Sequence, residues 1–289
     1  MADRETVLSN EWLNLCVSSL GAEMQHLRTA NGADLLWHGD AAFWTGRAPV
    51  LFPIVGRAAN DQIAVGSHQA SMSQHGFARR SEFVLSDHGP QSCTHTLVAN
   101  ETTKAMYPFA FGLHITHRLD DRTLTVSARV ENQGDQPMPF GFGFHPAFRW
   151  PLPGEEDAPH FVTLASGGAP DRRKLTDGLL DRDLTPGPFV GGQLELSSDL
   201  FEDGALVFPN AADDLRYGPA HGPQLDFQFN NLPDFALWQP VGAPFLCIEP
   251  WHGTASLHGD GPEIAERPNS LTLDPDAHAE FAYAVTVTE

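Results

Sequence analysis

Positive charge is scarce in this sequence: 17 Lys and Arg stand against 37 Asp and Glu over 289 residues, a formal net charge of −20. Such a chain repels phosphate backbones and anionic bilayers, which argues against nucleic acid and membrane surfaces as partners and favours a neutral small molecule. Cysteine is nearly absent. The three residues, Cys16, Cys93 and Cys247, are odd in number, widely spaced and form no CxxC pair, so neither a disulfide framework nor a thiolate zinc motif is indicated. That usage fits a reducing, cytoplasmic setting. Long hydrophobic runs are missing too: none approaches the ~20 residues that a membrane-spanning helix needs. The N-terminal stretch "MADRETVLSNEWLNLCVSSLG" has no basic segment leading into an apolar one, so it does not read as a secretion signal.

Sustained helical periodicity is absent as well, and no internal repeat is visible, which removes solenoids and propellers. What the chain has is 26 Gly, 23 Pro and 19 Phe. Gly and Pro are costly inside helices, so this composition favours many short strands joined by turns. The fold class is all-β, with one domain over residues 1–289. In "LHITHRLDDRTLTVSARVENQG", Leu113, Ile115 and Leu119 alternate, and Leu124, Val126, Ala128 and Val130 repeat the pattern after a polar turn. This predicts a β-hairpin. Further strands are predicted over 82–85, 94–99, 140–144, 205–208, 225–229, 235–239, 245–249, 270–273 and 279–287. The stretch "DRRKLTDGLLDRDLTPGPF" reads as a loop with one short helical turn, within a long insertion that starts near residue 151.

Four stretches carry candidate chemistry. "APVLFPIVGRAANDQIAVG" places Arg57 directly after an apolar run that reads as a buried strand; there it is either a structural ion-pair partner or a pocket residue. "SQHGFARR" sets His75 before Gly76, where a missing Cβ lets the backbone approach a ligand closely; a histidine hydrogen-bonded in a loop is the other reading. In "FGFGFHPAFRWPL", Phe140, Phe142 and Phe144 form one face of a strand with His145 at its end, just before Pro146. That position would hold a proton donor rigidly, or cap the strand. "APFLCIEPWHG" ends an apolar strand in Glu249, and a buried carboxylate needs either a salt-bridge partner or a function.

The order of these elements, with "FEDGALVF" at 201–208 between the last two, resembles the aldose 1-epimerase (galactose mutarotase) family, and most of all its LacX-like branch. The resemblance runs from "GAEMQHLRTANGADLLWHGD" to the closing "LTLDPDAHAEFAYAVTV". It implies a galactose-mutarotase-like β-sandwich of two extensive antiparallel sheets, with no metal or organic cofactor. It also implies interconversion of the α and β anomers of a free sugar, with His145 matching the family's acid and Glu249 its base. His75 matches a second histidine that positions the sugar. Arg57 matches a pocket arginine whose fork would donate to sugar hydroxyls, although the Asn-Arg pair of the galactose-specific branch is replaced by Asn60-Asp61. Where relatives hold sugar hydroxyls with an acid just before the "ALVF" strand, this chain has Gly204, with Asp203 one residue earlier. Trp238, Trp251 and Phe77 are candidate stacking surfaces for a sugar face.

Three rival readings stand beside this one. A hexose-6-phosphate 1-epimerase would draw a phosphate clamp from Arg57, Arg79 and Arg80, against the acidity of the chain. A non-catalytic sugar-binding module would not need both His145 and Glu249. A metal-dependent β-sandwich has little to build on, because His114 and His117 lie three apart on a strand and point to opposite faces. Both a monomer and a homodimer are compatible with the sequence.

Overall fold

In the computed structural model, which describes residues 4–212 and 214–288, two large antiparallel sheets face each other. The first has nine strands in the order Gln193–Glu195, His160–Leu164, Leu215–Pro219, Gln224–Asn230, His278–Thr288, Thr123–Asn132, Phe111–Asp120, Ser92–Val98 and Val84–His88. The second runs Leu179–Thr185, Arg172–Thr176, Leu206–Phe208, Asp234–Trp238, Phe245–His252, Phe142–Phe144 and Val50–Leu51, with Ala147–Arg149 also paired to Phe245–His252. A three-stranded meander, Glu5–Ser9, Leu13–Ser18 and Met24–Thr29, precedes them. The α-helix among the described residues is Glu101–Met106, opened by a capping box between Asn100 and Thr103.

Aromatic rings from both sheets meet in the core. Phe142 stacks on Phe281 with centroids 4.8 Å apart, Phe144 meets Tyr283 edge-on at 5.0 Å, and Phe148 meets Phe227 at 5.1 Å. Each pair joins one sheet to the other. The predicted hairpin spans Phe111–Asp120 and Thr123–Asn132, turning at Asp121, which adopts a left-handed φ of 48°. Its inward row holds Leu113, Ile115, His117 and Leu119, so an imidazole replaces one aliphatic residue of the alternating pattern.

Two predicted elements differ in the structure. Residues 171–189 do not form a loop with a helical turn: Arg172–Thr176 and Leu179–Thr185 pair as a hairpin on the edge of the second sheet. Asp177 and Gly178 supply the two consecutive left-handed residues at its turn (φ 51° and 81°), the geometry that Asp-Gly favours between strands. The strand predicted over 140–144 is divided. Met138–Phe140 pairs with Leu271–Leu273, whereas Phe142–Phe144 joins the second sheet. Gly141 sits between them and donates its N–H to the Pro53 carbonyl at 2.7 Å.

Because Phe142 is fully buried and tied into the inter-sheet stack, Phe142→Ala is expected to cost about 3–5 kcal/mol of stability, transfer and cavity contributions together. Urea denaturation measures it; a loss below about 1 kcal/mol would show that this stack does not join the sheets.

Candidate active site

The strand Phe245–His252 is buried along nearly its whole length, and its two faces do different things. Leu246 and Ile248 join the inter-sheet core, whereas Phe245 and Cys247 pack with Trp37, Ala147 and Ala243 on the opposite side. Glu249 and Trp251 continue that second row. The period of two therefore carries a carboxylate onto the outer face of the sheet without breaking the apolar strand. Ala236 is the cross-strand partner of Glu249, and Gly143 that of Trp251. A Cβ at Gly143 would come within 2.5 Å of the indole Cδ1 of Trp251, so the missing side chain makes room for the Trp251 ring.

A cavity of about 230 Å³ opens over this face, ample for more than a few waters. At its floor, His145 Nε2 lies 3.1 Å from Glu249 Oε2. Both are buried, at 6% and 2% exposure. The imidazole is held among rings: Trp44 lies tilted over it at 4.9 Å, and Trp238 and His75 meet it edge-on at 5.7 and 5.5 Å. Its backbone N–H donates to Pro49 O at 3.1 Å. Burial pushes the His145 pKa down to about 3 and raises that of Glu249 well above the usual carboxylate range. Between these limits the pair holds a single proton, drawn by burial to the carboxyl.

His75 reaches the cavity through an unusual backbone. Its φ is 66°, rare for a residue with a Cβ, and Gly76 follows at 71°. The Gly56 N–H donates to His75 Nδ1 at 3.1 Å, and His75 N–H donates to Gly56 O at 2.9 Å. With Nδ1 accepting, the proton of the neutral ring sits on Nε2. Burial, followed by the nearby His145 and Arg79, holds the His75 pKa well below its ordinary value. The Gly56 loop is fixed from behind by buried Arg267, which donates to Val55 O at 2.6 Å, Thr254 O at 3.0 Å and Ser256 Oγ at 2.6 Å.

The sequence expectations divide here. His145, Glu249, His75, Trp238 and Trp251 all line the cavity, but Arg57 and Asp203 do not. The Arg57 guanidinium is taken up by Asp61, at 2.8 and 2.7 Å, and by Asp177 O at 3.0 Å. It fastens the Asp177 turn and so takes the ion-pair role, the other reading open to it. Asp203 faces grooves beside Arg172 on the outer side of the hairpin, while Gly204 and Ala205 meet the cavity. Phe77 packs in the core against Phe52 and Phe111. Gly76 allows close approach of backbone to backbone rather than to a ligand: a Cβ there would sit 2.2 Å from Phe52 O.

Among the lining residues that the sequence does not mark for sugar contact, Trp44 and Arg79 offer a ring and a charge. Trp44 belongs to an early loop with no local pattern to mark it. Arg79 was weighed only as part of a phosphate clamp; its Nη2 donates to Gln74 O at 3.0 Å, and its Nε is buried without a partner among the described residues. Burial lowers its pKa to about 10, so it stays charged at neutral pH. Arg80 turns away and donates to Ser73 Oγ at 2.9 Å.

A sequence model of the family described as aldose 1-epimerase matches residues 5–173, more than half of the chain. The chain belongs to the aldose 1-epimerase family. It is 28% identical to the plasmid-encoded protein LacX of Lactococcus lactis subsp. lactis, over 97% of this chain and 98% of the relative. Among solved structures it resembles a galactose mutarotase related enzyme from Lactobacillus acidophilus (TM-score 0.93, 28% identity, 99% and 97% of the two chains). It also resembles a galactose mutarotase-like protein from Lactobacillus casei (TM-score 0.89, 28% identity, 98% and 100%). The two facing sheets are thus the galactose mutarotase-like β-sandwich of this family.

The depressed His145 pKa has a direct spectroscopic consequence. An exposed imidazole takes up a proton as pH falls through ~6.5, but the His145 ring is expected to stay unprotonated from pH 7.5 down to 5. Long-range ¹H–¹⁵N correlation spectra, assigned with His145→Asn, test this; a midpoint near 6.5 would contradict the burial argument.

Proposed function

We propose that this protein is an aldose 1-epimerase that interconverts the α and β anomers of a free, uncharged aldose by acid–base ring opening and closure. The observation that carries this reading is the His145–Glu249 contact of 3.1 Å at the floor of a cavity walled by Trp44, Trp238 and Trp251. Mutarotation needs two groups with opposite proton assignments, and a buried pair sharing one proton supplies both. A sugar hydroxyl donating to Glu249 and a ring oxygen accepting from His145 replace hydration lost on burial, and so favour the form with carboxylate and imidazolium. Glu249 then takes the proton of the C1 hydroxyl while His145 gives its proton to the ring oxygen. The C1–O5 bond breaks, and the open-chain aldehyde rotates about C1–C2. Reclosure on the other face runs the two transfers backwards, so the pair ends with the proton count it began with.

Around this pair, His75 donates from Nε2 and Arg79 supplies unused N–H groups, both suited to orienting hydroxyls and ring oxygen. The tryptophan faces offer apolar surfaces to the C–H side of a pyranose. No organic cofactor enters this scheme. A cytoplasmic location suits an enzyme acting on free sugars, and among the described residues no helix is long and apolar enough to cross a membrane.

Glu249→Gln, nearly isosteric, should fold and lose mutarotation by at least ~10²-fold, the scale of one proton-transfer group. For His145→Asn a similar loss is expected, mainly in kcat, because protonation of the ring oxygen belongs to the transition state. Polarimetry of freshly dissolved α-D-glucose and α-D-galactose measures both; unchanged turnover in either variant removes that residue from its role.

Charge decides between a free sugar and its 6-phosphate. Of the three arginines near the matched motifs, Arg57 and Arg80 are engaged elsewhere and Arg79 alone lines the cavity. One cation is a weak clamp for a dianion in a chain of net charge −20, since stripping water from an unpaired charge costs several kcal/mol. Neutral aldoses are therefore expected to give the higher kcat/KM, with little dependence on salt. A tenfold preference for glucose 6-phosphate that shrinks on adding salt would establish the phosphosugar reading instead.

A further inference from the structure

Away from the cavity, the interior face of the nine-stranded sheet carries a second group of buried polar side chains. On Ser92–Val98 the inward row is Cys93, His95 and Leu97; on Phe111–Asp120 it continues through Ile115 and His117. Cys93 and His117 are direct cross-strand partners, and His95 is two residues from Cys93 on the same face. The three are 0%, 1% and 1% exposed. Cys93 Sγ and one ring nitrogen from each histidine all lie within 4.8 Å of one another. The separation of Cys93 Sγ from His95 Nδ1 is 3.9 Å.

We propose that Cys93, His95 and His117 form a binding site for a borderline-soft divalent cation of the zinc type, separate from the sugar cavity. The donor set is one thiolate and two imidazoles, the combination that Zn²⁺ takes in tetrahedral sites. With Zn–S near ~2.3 Å and Zn–N near ~2.0–2.1 Å, ligand atoms of a tetrahedral site stand roughly 3.5 Å apart. Contraction by about an ångström, within reach of small χ rotations, closes this trio around an ion. The second observation is His117 Nδ1, which is buried and has no hydrogen-bond partner among the described residues. Such a group costs free energy unless something binds it. A bound cation supplies the positive charge that lets Cys93 coordinate as thiolate. No short sequence motif announces this site, because register, not spacing, brings residues 93 and 117 together.

The test is a titration of the full-length, chelator-stripped protein with Co²⁺ and with Zn²⁺. One Co²⁺ per chain should give a thiolate-to-metal charge-transfer band in the near ultraviolet with visible tetrahedral bands. Zn²⁺ at a hundredfold excess over Kd should raise Tm by about 4–5 °C. Cys247 Sγ also lies within 4.8 Å of donor atoms of His145 and Glu249 in the cavity, so the thiol must be assigned. The band should survive Cys247→Ser and vanish in Cys93→Ser. If Cys93→Ser does not fold, the double variant Cys16→Ser/Cys247→Ser, which keeps Cys93 alone, should still show the band. No band and no Tm change in the unaltered protein, a band lost in Cys247→Ser, or none in the double variant would each overturn the proposal.

Discussion

The structure depends on one strand, Phe245–His252, being apolar on one face and chemically mixed on the other. Its core side, with Leu246 and Ile248, belongs to the inter-sheet packing that Phe142–Phe281 and Phe148–Phe227 hold together. Its outer side is not released to water, because Trp37, Trp44, Trp238 and the Arg172–Thr185 hairpin cover it. A carboxylate in that row is stripped of water without leaving the sheet. Glu249 consequently has a raised pKa and a fixed direction from the same cause, and His145 is the partner placed to answer it. The position of His145 is fixed in turn by Phe142–Phe144, whose two rings are anchored in the core. Stability and chemistry meet in the same backbone.

This explains why the catalytic candidates could be read from the sequence while several contacts around them could not. Glu249 and His145 each end or follow an apolar alternating run, and alternation is a local property that survives into the fold. Arg57 sits near a similar run, yet the strand there is only Val50–Leu51, with Phe52 bridged to Gly76, and the chain has bent through Ile54–Gly56 before Arg57 is reached. Its direction is set by Asp61 and the Asp177 turn, 120 residues away. The family resemblance suggested a pocket residue at this place; the local ion pair is what the geometry shows. Asp203 shows the same limit. One residue of offset before Ala205, at a glycine with φ 96°, turns its carboxylate to the outer side of the hairpin.

Fold class was legible because it is a matter of composition and period, and the 111–132 hairpin because its alternation is unbroken. The 172–185 hairpin was misread although its Asp-Gly turn was present, since its strands carry exposed Arg, Lys and Asp on an edge where little needs to be buried. A period of two is visible only when one face is apolar. The break at Gly141 was hidden for the opposite reason: Met138, Phe140, Phe142 and Phe144 are all fully or nearly fully buried, so two strands in different sheets read as one.

The two buried polar groups differ in what can satisfy them, and this difference follows from where each lies in the sandwich. His145 Nε2 pairs with Glu249 Oε2 while His145 Nδ1 is buried without a partner among the described residues, and the two side chains open onto a cavity large enough to admit polar groups from outside, so their remaining hydrogen-bonding capacity can go to a ligand's hydroxyls. Cys93, His95 and His117 lie on the closed interior face, next to the N-terminal meander and fully covered. A sugar cannot reach them, and a neutral imidazole whose Nδ1 finds no protein donor gains nothing from its apolar neighbours. An aliphatic triplet there would pack at no such cost, as Leu113, Ile115 and Leu119 do along the same row. A bare ion suits a thiol beside two imidazoles whose ligand atoms lie within 4.8 Å of one another. Alternation thus puts polar atoms on an inward row in both places, and solvent access alone separates a site built for a molecule from one built for a metal.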